Sequence, residues 1–372
     1  MSVSRSAGAH GRAVQKVLHV GPDMSAQGGI ASVIGGYAQR SELFESQGYT
    51  LSFAATCGAR GGLRRIRQFA RAWWKVVSGA VSRNIDIVHI HTSVRGSLLR
   101  KWLLAMTCIG LRQKYILHLH NGAMAQYIET LPALCRKAVG LMWKRAAQVI
   151  CLSRDMEAWL DRDRLCHPEK RQLIYNGISD PASDVALGRS GAQPPTILFL
   201  GRLVEAKGIK VLLEAAQRLK RLGHPYRLLV AGSGDLQAFL TDVEHRNLSM
   251  EVEHLGWATG EQKAQLLANA DIFVLPSRSE GFPVAIVEAM AYGATIVSTN
   301  IPGVTDAIVH GRDGLLVSPD AADQLCDALA KLITSPALRT QLAAAARQRF
   351  LDRFTIERTV ECLVSAYDKA LH

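Results

Sequence analysis

At 372 residues the chain has room for two domains of ordinary size. With 48% hydrophobic and 20% charged residues it reads as globular rather than disordered, and no apolar run reaches the roughly 20 residues of a membrane span. The net charge of +12 is one-sided: residues 1–180 carry 25 Lys/Arg against 11 Asp/Glu (+14), residues 181–372 carry 19 against 21 (−2). The first half is therefore expected to meet an anionic partner: membrane, nucleic acid or a phosphorylated substrate.

In chain order, residues 1–15 ("MSVSRSAGAHGRAVQ") are polar and basic, with no apolar core for a secretory signal, and read as a frayed tail. A first domain follows over 16–180. Its strands are expected at "KVLHV" (16–20), "IDIVHIH" (85–91), "KYILHLH" (114–120), "QVICLS" (148–153) and "RQLIYNG" (171–177), with helical stretches between them. This βαβ rhythm implies a parallel, doubly wound sheet. A small-residue stretch with three prolines makes 181–195 a linker. The rhythm then restarts over 196–350, with strands at 196–202, 226–234, 252–257, 271–277 and 294–299. Residues 351–372 read as an amphipathic helix expected to cross back to the first domain. The fold class is thus α/β, two similar domains facing across a cleft, with ligands at the carboxyl ends of the strands. Seven scattered cysteines without a C-x-x-C pair point to reduced thiols in a cytoplasmic protein.

Four stretches carry chemistry. "SAQGGIAS" follows the first strand, and Gly28-Gly29 would let backbone N–H groups approach a phosphate at the next helix start. In "GRLVEAKG", Arg202 ends a strand and Lys207 precedes a helix. Cations are disfavoured at a helix N-terminus unless an anion joins them, so the pair is read as converging on a diphosphate rather than as two solvated side chains. "HLHNG" ends a strand with His118 and His120, and His120, nearer the carboxyl end, is expected to face the cleft. These histidines and the "HIH" of 89–91 are not read as a metal site, for want of a carboxylate partner. "SRSEGFPVAIVEAMAYG" (277–293) separates Glu280 from Glu288 by seven residues, with a helix start expected near Pro283. Either these are a capping acid and a solvated helix acid, or two carboxylates lining one cleft for two separate polyols.

Residues 60–84 also repay a helical count. Leu63, Ile66, Phe69, Ala70, Trp73, Val77 and Ala80 share one face; Arg60, Arg64, Arg65, Arg67, Arg71 and Lys75 fall on the other. Two readings fit: a helix packed on the sheet with a solvated basic face, or one lying on anionic lipid through Arg64, Arg67, Arg71, Trp73, Trp74 and Lys75. No nucleic-acid recognition motif accompanies the charge.

Taken together, the diglycine, "HLHNG", "IYNGI", "GRLVEAKG", "AGSG", "LGW", the E-x7-E stretch and "GLLV" resemble family 4 of the retaining glycosyltransferases, over about Val17 to Asp368. The resemblance implies the GT-B fold, an acceptor-binding first domain and a nucleotide-sugar-binding second one. It implies that Glu288 meets ribose hydroxyls and that Glu280, with the N–H groups of Gly281 and Phe282, meets the transferred sugar. It places Arg202 and Lys207 on the diphosphate, Gly28 and Gly29 against it from the first domain, Leu255 to Trp257 at the base, and His120 near the sugar's C6 hydroxyl. It further implies retention at the anomeric carbon with no metal or other cofactor. The expected acceptor is a glycan, lipid-linked through a polyprenyl diphosphate as in bacterial exopolysaccharide or surface-polysaccharide assembly. The expected location is the inner face of the plasma membrane. The rivals are a soluble acceptor and a GT-B-like nucleotide-sugar epimerase.

Overall fold

A computed structural model describes residues 14–58, 61–181 and 194–372. Most of the expected tail and linker, and Arg60, lie outside the described residues. The first sheet contains β1 (Gln15–Gly21), β2 (Tyr49–Ala55), β3 (Ile87–Thr92), β4 (Tyr115–Leu119), β5 (Gln148–Cys151) and β6 (Arg171–Leu173). The second contains β7 (Thr196–Leu200), β8 (Arg227–Ala231), β9 (Val252–His254), β10 (Ile272–Leu275), β11 (Thr295–Thr299) and β12 (Leu315–Val317). Their orders are β2-β1-β3-β4-β5-β6 and β12-β11-β10-β7-β8-β9, and the pairings are parallel. Each order reverses once, at β1/β3 and at β7/β10, so each sheet splays two loops apart at a switch point where a ligand can enter.

The central strands β1, β3, β4 and β5 of the first sheet are buried on both faces, which is why they read as continuous apolar runs. On one face Leu18, Val20, Val88, Ile90, Leu117 and Leu119 pack under the helices Gly62–Val81, Gly96–Gly110 and Ala133–Arg145. On the other, Val17, Ile87, Ile116 and Ile150 meet Tyr37, Phe44, Leu363 and Tyr367.

Tyr367 and Leu363 belong to the last helix, Ile356–Leu371, which crosses back as expected. Thr355 caps it by accepting from Arg358 N. Ile356, Val360, Leu363 and Tyr367 are all buried against the first domain, at about 1.5–3 kcal/mol for each large side chain. Tyr49 Oη also donates to Asp368 Oδ1 at 2.8 Å. The outgoing and returning crossings lie side by side: Ile178 N donates to Phe354 O at 3.0 Å, and Ile356 N donates to Ile178 O at 2.9 Å.

The basic helix Gly62–Val81 differs from the sequence count. Its buried stripe is Ala72, Val76 and Gly79, with Phe69 half-buried beside it. Leu63, at 75% exposed, Ile66 and Trp74, at 64%, remain in solvent. The small residues decide this. A Cβ on Gly79 would stand 2.1 Å from Ile85 Cδ1, so the helix approaches on the side where it has least side chain. No helix among the described residues is long and apolar enough to cross a membrane.

Candidate active site

The two switch points face one another across a cleft of about 770 Å³. On the second domain's side, β7 is followed by Gly201 and Arg202, and a short 3-10 turn, Glu205–Lys207, leads through Gly208 into the helix Ile209–Arg221. Gly208 has φ 71°, and a Cβ there would lie 1.9 Å from Pro276 O. Only glycine lets this turn press onto the loop after β10. That loop carries Glu280 and ends at Pro283, the N-cap of the helix Val284–Ala291, which carries Glu288 in its second turn. The two carboxylates thus sit on a loop and a helix, and both line the cleft.

Each carboxylate has its own cation. Lys207 Nζ lies 2.5 Å from Glu280 Oε1, which also accepts from Ser277 Oγ at 2.7 Å. Lys263 Nζ, from the helix Gly260–Ala268, lies 2.6 Å from Glu288 Oε1. With side chains only 9% and 15% exposed, both carboxylates need such partners. Arg202 lines the same cleft, is exposed, and makes no ion pair among the described residues.

The first domain supplies the opposite wall. Gly28 is the N-cap of the helix Gly29–Gln39, with no side-chain cap, and a Cβ on Gly28 or Gly29 would meet nothing. The diglycine therefore fronts open cleft, where uncapped amide groups favour an anion. Gln27 Oε1 accepts from Ser233 Oγ at 2.8 Å across the cleft. His120 lines the cleft beside the Glu280–Gly281 peptide. The domains touch here: a Cβ on Gly122 would stand 2.1 Å from Glu280 O, and one on Gly281 would stand 2.4 Å from His120 O. Burial pushes the His120 imidazole down to about 3, so it is neutral near pH 7.

Of the residues read from sequence, Gly28, Gly29, His120, Arg202, Lys207, Glu280, Gly281, Phe282 and Glu288 all line this cleft. Phe282 offers it chiefly backbone, because its ring is buried and stacks 5.1 Å from Tyr175. Leu255 packs against the core with its N–H on Val230 O, and Trp257 is the residue of that turn in the cleft wall. Arg64, Arg67, Arg71, Trp73, Trp74 and Lys75 are exposed, on a helix whose Gln68 Nε2 donates to Asp23 Oδ2 at 3.3 Å in the loop that borders the cleft. The sequence reading did not single out Lys263, Gln27 or Asn176. Asn176 is a buried cleft residue whose Oδ1 has no partner among the described residues. Its only signal was its place in "IYNGI".

Of the two strand histidines, His120 is the one that reaches the cleft, as its place nearer the carboxyl end predicts. Two residues apart, they share one face, and their rings stack at 4.1 Å. Depth separates them, His118 being fully buried.

Residues 32–180 match the Glycosyltransferase Family 4 model and residues 188–349 the Glycosyl transferases group 1 model. The amylovoran biosynthesis glycosyltransferase AmsK of Erwinia amylovora is 34% identical over 196 residues, 51% of this chain and 48% of that protein. The chain spans about half the length of that relative. Among solved structures, sucrose-phosphate synthase from Thermosynechococcus elongatus superposes with a TM-score of 0.74 at 20% identity, over 95% of this chain and 98% of that one. HepE of Anabaena, in complex with UDP and glucose, gives 0.72 at 19% identity, over 94% and 98%. Two parallel six-stranded sheets facing across a cleft are the GT-B architecture these structures share, and with both halves matched the chain belongs to the glycosyltransferases of the family 4 and group 1 models.

Proposed function

We propose that the chain is a retaining hexosyltransferase that moves a sugar from a nucleoside-diphosphate donor to a membrane-borne glycan. The observation that carries this reading is the order of charges in the cleft: two cations, Arg202 and Lys207, and two separated carboxylates, Glu280 and Glu288, facing an uncapped helix start. A nucleotide sugar has the matching order, with a diphosphate between two polyols. Glu288 would take the ribose hydroxyls and Glu280 those of the hexose, since a carboxylate accepts two such bonds at once. In the reaction the bond from the anomeric carbon to the phosphate oxygen breaks, and the diphosphate leaves with the electron pair. The acceptor oxygen bonds the anomeric carbon on the same face, and its proton passes to the leaving phosphate oxygen. Arg202, Lys207 and the amides at Gly28-Gly29 stabilise the charge on that phosphate, in the role a metal ion fills elsewhere.

The donor site is tested by thermal unfolding with UDP, GDP, ADP and dTDP, each with and without chelator. One nucleotide at 100 times its dissociation constant should add about 2.7 kcal/mol, chelator or not. Glu288→Ala should abolish most of that shift while leaving the ligand-free melt close to wild type. A protein that melts identically with all four nucleotides would overturn the reading.

The membrane part rests on a surface. Along the basic helix, at about 100° per residue, the exposed stripe Leu63, Ile66, Trp73 and Trp74 adjoins the stripe Arg64, Arg67, Arg71 and Lys75. The helices Gly96–Gly110 and Ala133–Arg145 of the same domain also expose Leu99 (61%) and Leu134 (79%). An apolar band edged by cations fits the anionic leaflet that holds a polyprenyl-linked acceptor, at about 1 kcal/mol for each cation near the surface. In flotation assays the protein should bind vesicles containing anionic lipid at low salt and release as salt rises. Failure to bind at any salt would favour a soluble acceptor.

A further inference from the structure

Beneath the cleft, the core of the first domain changes character. On the face covered by the last helix, the strands run Val17-His19, Ile87-His89-His91 and Ile116-His118-His120, apolar at the start and histidine toward the carboxyl ends. The register aligns His19 with His89 and His91 with His118. The result is a contiguous stack of five imidazoles, with Tyr367 from the last helix against it.

Their polar atoms join in single file. His120 Nε2 faces His91 Nδ1 at 2.9 Å, and His91 Nε2 faces His19 Nδ1 at 3.0 Å. His19 Nε2 faces Tyr367 Oη at 3.2 Å, and Tyr367 Oη faces His89 Nδ1 at 2.8 Å. His89 Nε2 then faces His118 Nδ1 at 3.1 Å. The chain has two ends. At one, His118 Nε2 is buried with no partner among the described residues. At the other, the His120 ring reaches the cleft.

Ring nitrogens of His19, His89 and His91, and of His91, His118 and His120, come within 4.8 Å of one another, so a metal must be weighed. The geometry favours hydrogen bonds. Facing nitrogens at 2.9–3.1 Å are closer than the roughly 3.4 Å between two nitrogens on a tetrahedral zinc. The rings of His89 and His91 are parallel to within 5° with centroids 4.5 Å apart, so no single ion lies in both ring planes.

Burial holds all five rings neutral, well below the usual histidine range. A neutral imidazole has one N–H and one bare nitrogen, and a phenol donates once. In single file all the protons must therefore point the same way. We propose that this chain fixes the tautomer of His120, which presents its Nδ1–H to the cleft as a donor, and that His91, His19, Tyr367, His89 and His118 are positioning residues for it. The buried end sets the direction. Were the protons reversed, His118 Nε2 would carry an N–H with no acceptor, and orphaned buried donors are the rarer and costlier defect. His118 Nδ1–H thus donates to His89, His89 Nδ1–H to Tyr367, Tyr367 Oη–H to His19 Nε2, His19 Nδ1–H to His91, and His91 Nδ1–H to His120 Nε2. His120 then meets a ligand oxygen as a donor and does not serve as a base. Only the identity of that oxygen, on the sugar or its phosphate, rests on the glycosyltransferase reading.

The test is long-range proton–nitrogen NMR on the histidine-labelled full chain, without nucleotide, with His120 assigned through His120→Gln. The expected spectrum shows a protonated Nδ1 and a bare Nε2 at His120 near pH 7. Tyr367→Phe removes the oxygen joining the two halves of the chain: His19 Nε2 becomes the bare buried end, so His120 keeps its Nδ1–H, while His89 and His118, left with an orphaned N–H in either direction, should become a mixture of tautomers. A wild-type His120 with its proton on Nε2 overturns the proposal and needs no variant to fold. So does a Tyr367→Phe spectrum unchanged at His89 and His118, or one equivalent of zinc shifting the cluster's nitrogens. Because no nucleotide is present, failure here leaves the donor-site reading standing, and failure of the nucleotide melts leaves this one standing.

Discussion

Lys207→Ala is expected to lower turnover by about 10²- to 10³-fold, the usual cost of removing one preorganised group from the charge that develops in a transition state. Lys207 is placed for the task by a turn that only glycine can follow, since Gly208 is left-handed and closed against Pro276. Its ammonium has three donors, so it can keep Glu280 and still reach a phosphate oxygen. The substitution also leaves Glu280 with Ser277 Oγ as its remaining recorded partner, so some stability should be lost as well. Steady-state kinetics with donor and acceptor separate the two effects. The turnover number should collapse while the folded fraction at assay temperature stays near one. Lys207→Arg, which keeps the charge and changes its shape, should recover part of the loss. Turnover within threefold of wild type in Lys207→Ala would remove the residue from the reaction.

The second large effect is on acid stability. His19 is pushed to about 3 by burial, and His89, His91 and His118 are held well below the usual value for the same reason. In the unfolded chain each returns to about 6.5. As pH falls below that value the unfolded state takes up protons that the folded state refuses, so stability is lost on acidification. Each such proton is worth about 1.4 kcal/mol per pH unit, and four buried rings bring the steepest slope to about 5 kcal/mol per unit. Between pH 6.5 and 5 ordinary carboxylates, which titrate near 4, contribute little. Denaturant unfolding at half-unit steps through this window should therefore show the free energy dropping with a slope of several protons. A slope of less than one proton would mean the cluster accepts charge in the folded state.

How much of this was legible in the sequence depended on how far apart the cooperating residues lie in the chain. Arg202 and Lys207, or Glu280 and Glu288, each sit within one strand-turn-helix unit, so spacing alone brings them to the same sheet edge. Lys263 lies 25 residues from its partner Glu288, and Gln27 lies 206 from Ser233. No local pattern announces such pairs. The histidine chain needed the register: "HIH" and "HLH" are visible as strings, but only the pairing of β1, β3 and β4 stacks them, and Tyr367 arrives from 278 residues beyond His89. The orientation of the basic helix was hidden for another reason. Counting apolar residues finds the most hydrophobic stripe, whereas the helix packs along Ala72 and Gly79, where the approach to Ile85 is closest.

The paired crossings at Ile178 and Thr355 constrain how the molecule can move. Two chain segments hydrogen-bonded side by side act as one pin, so the outgoing and returning chains cannot shift independently where they cross. The two domains are also joined by the Gln27–Ser233 bond, by Gly122 against the Glu280 carbonyl, and by Asp306, which accepts from Arg154 N and Tyr175 Oη. The last helix lies beyond the pin, with the first domain. Tyr367 and the imidazoles therefore belong to one packed block, and the hydrogen-bonded chain that ends at His120 never crosses between the domains.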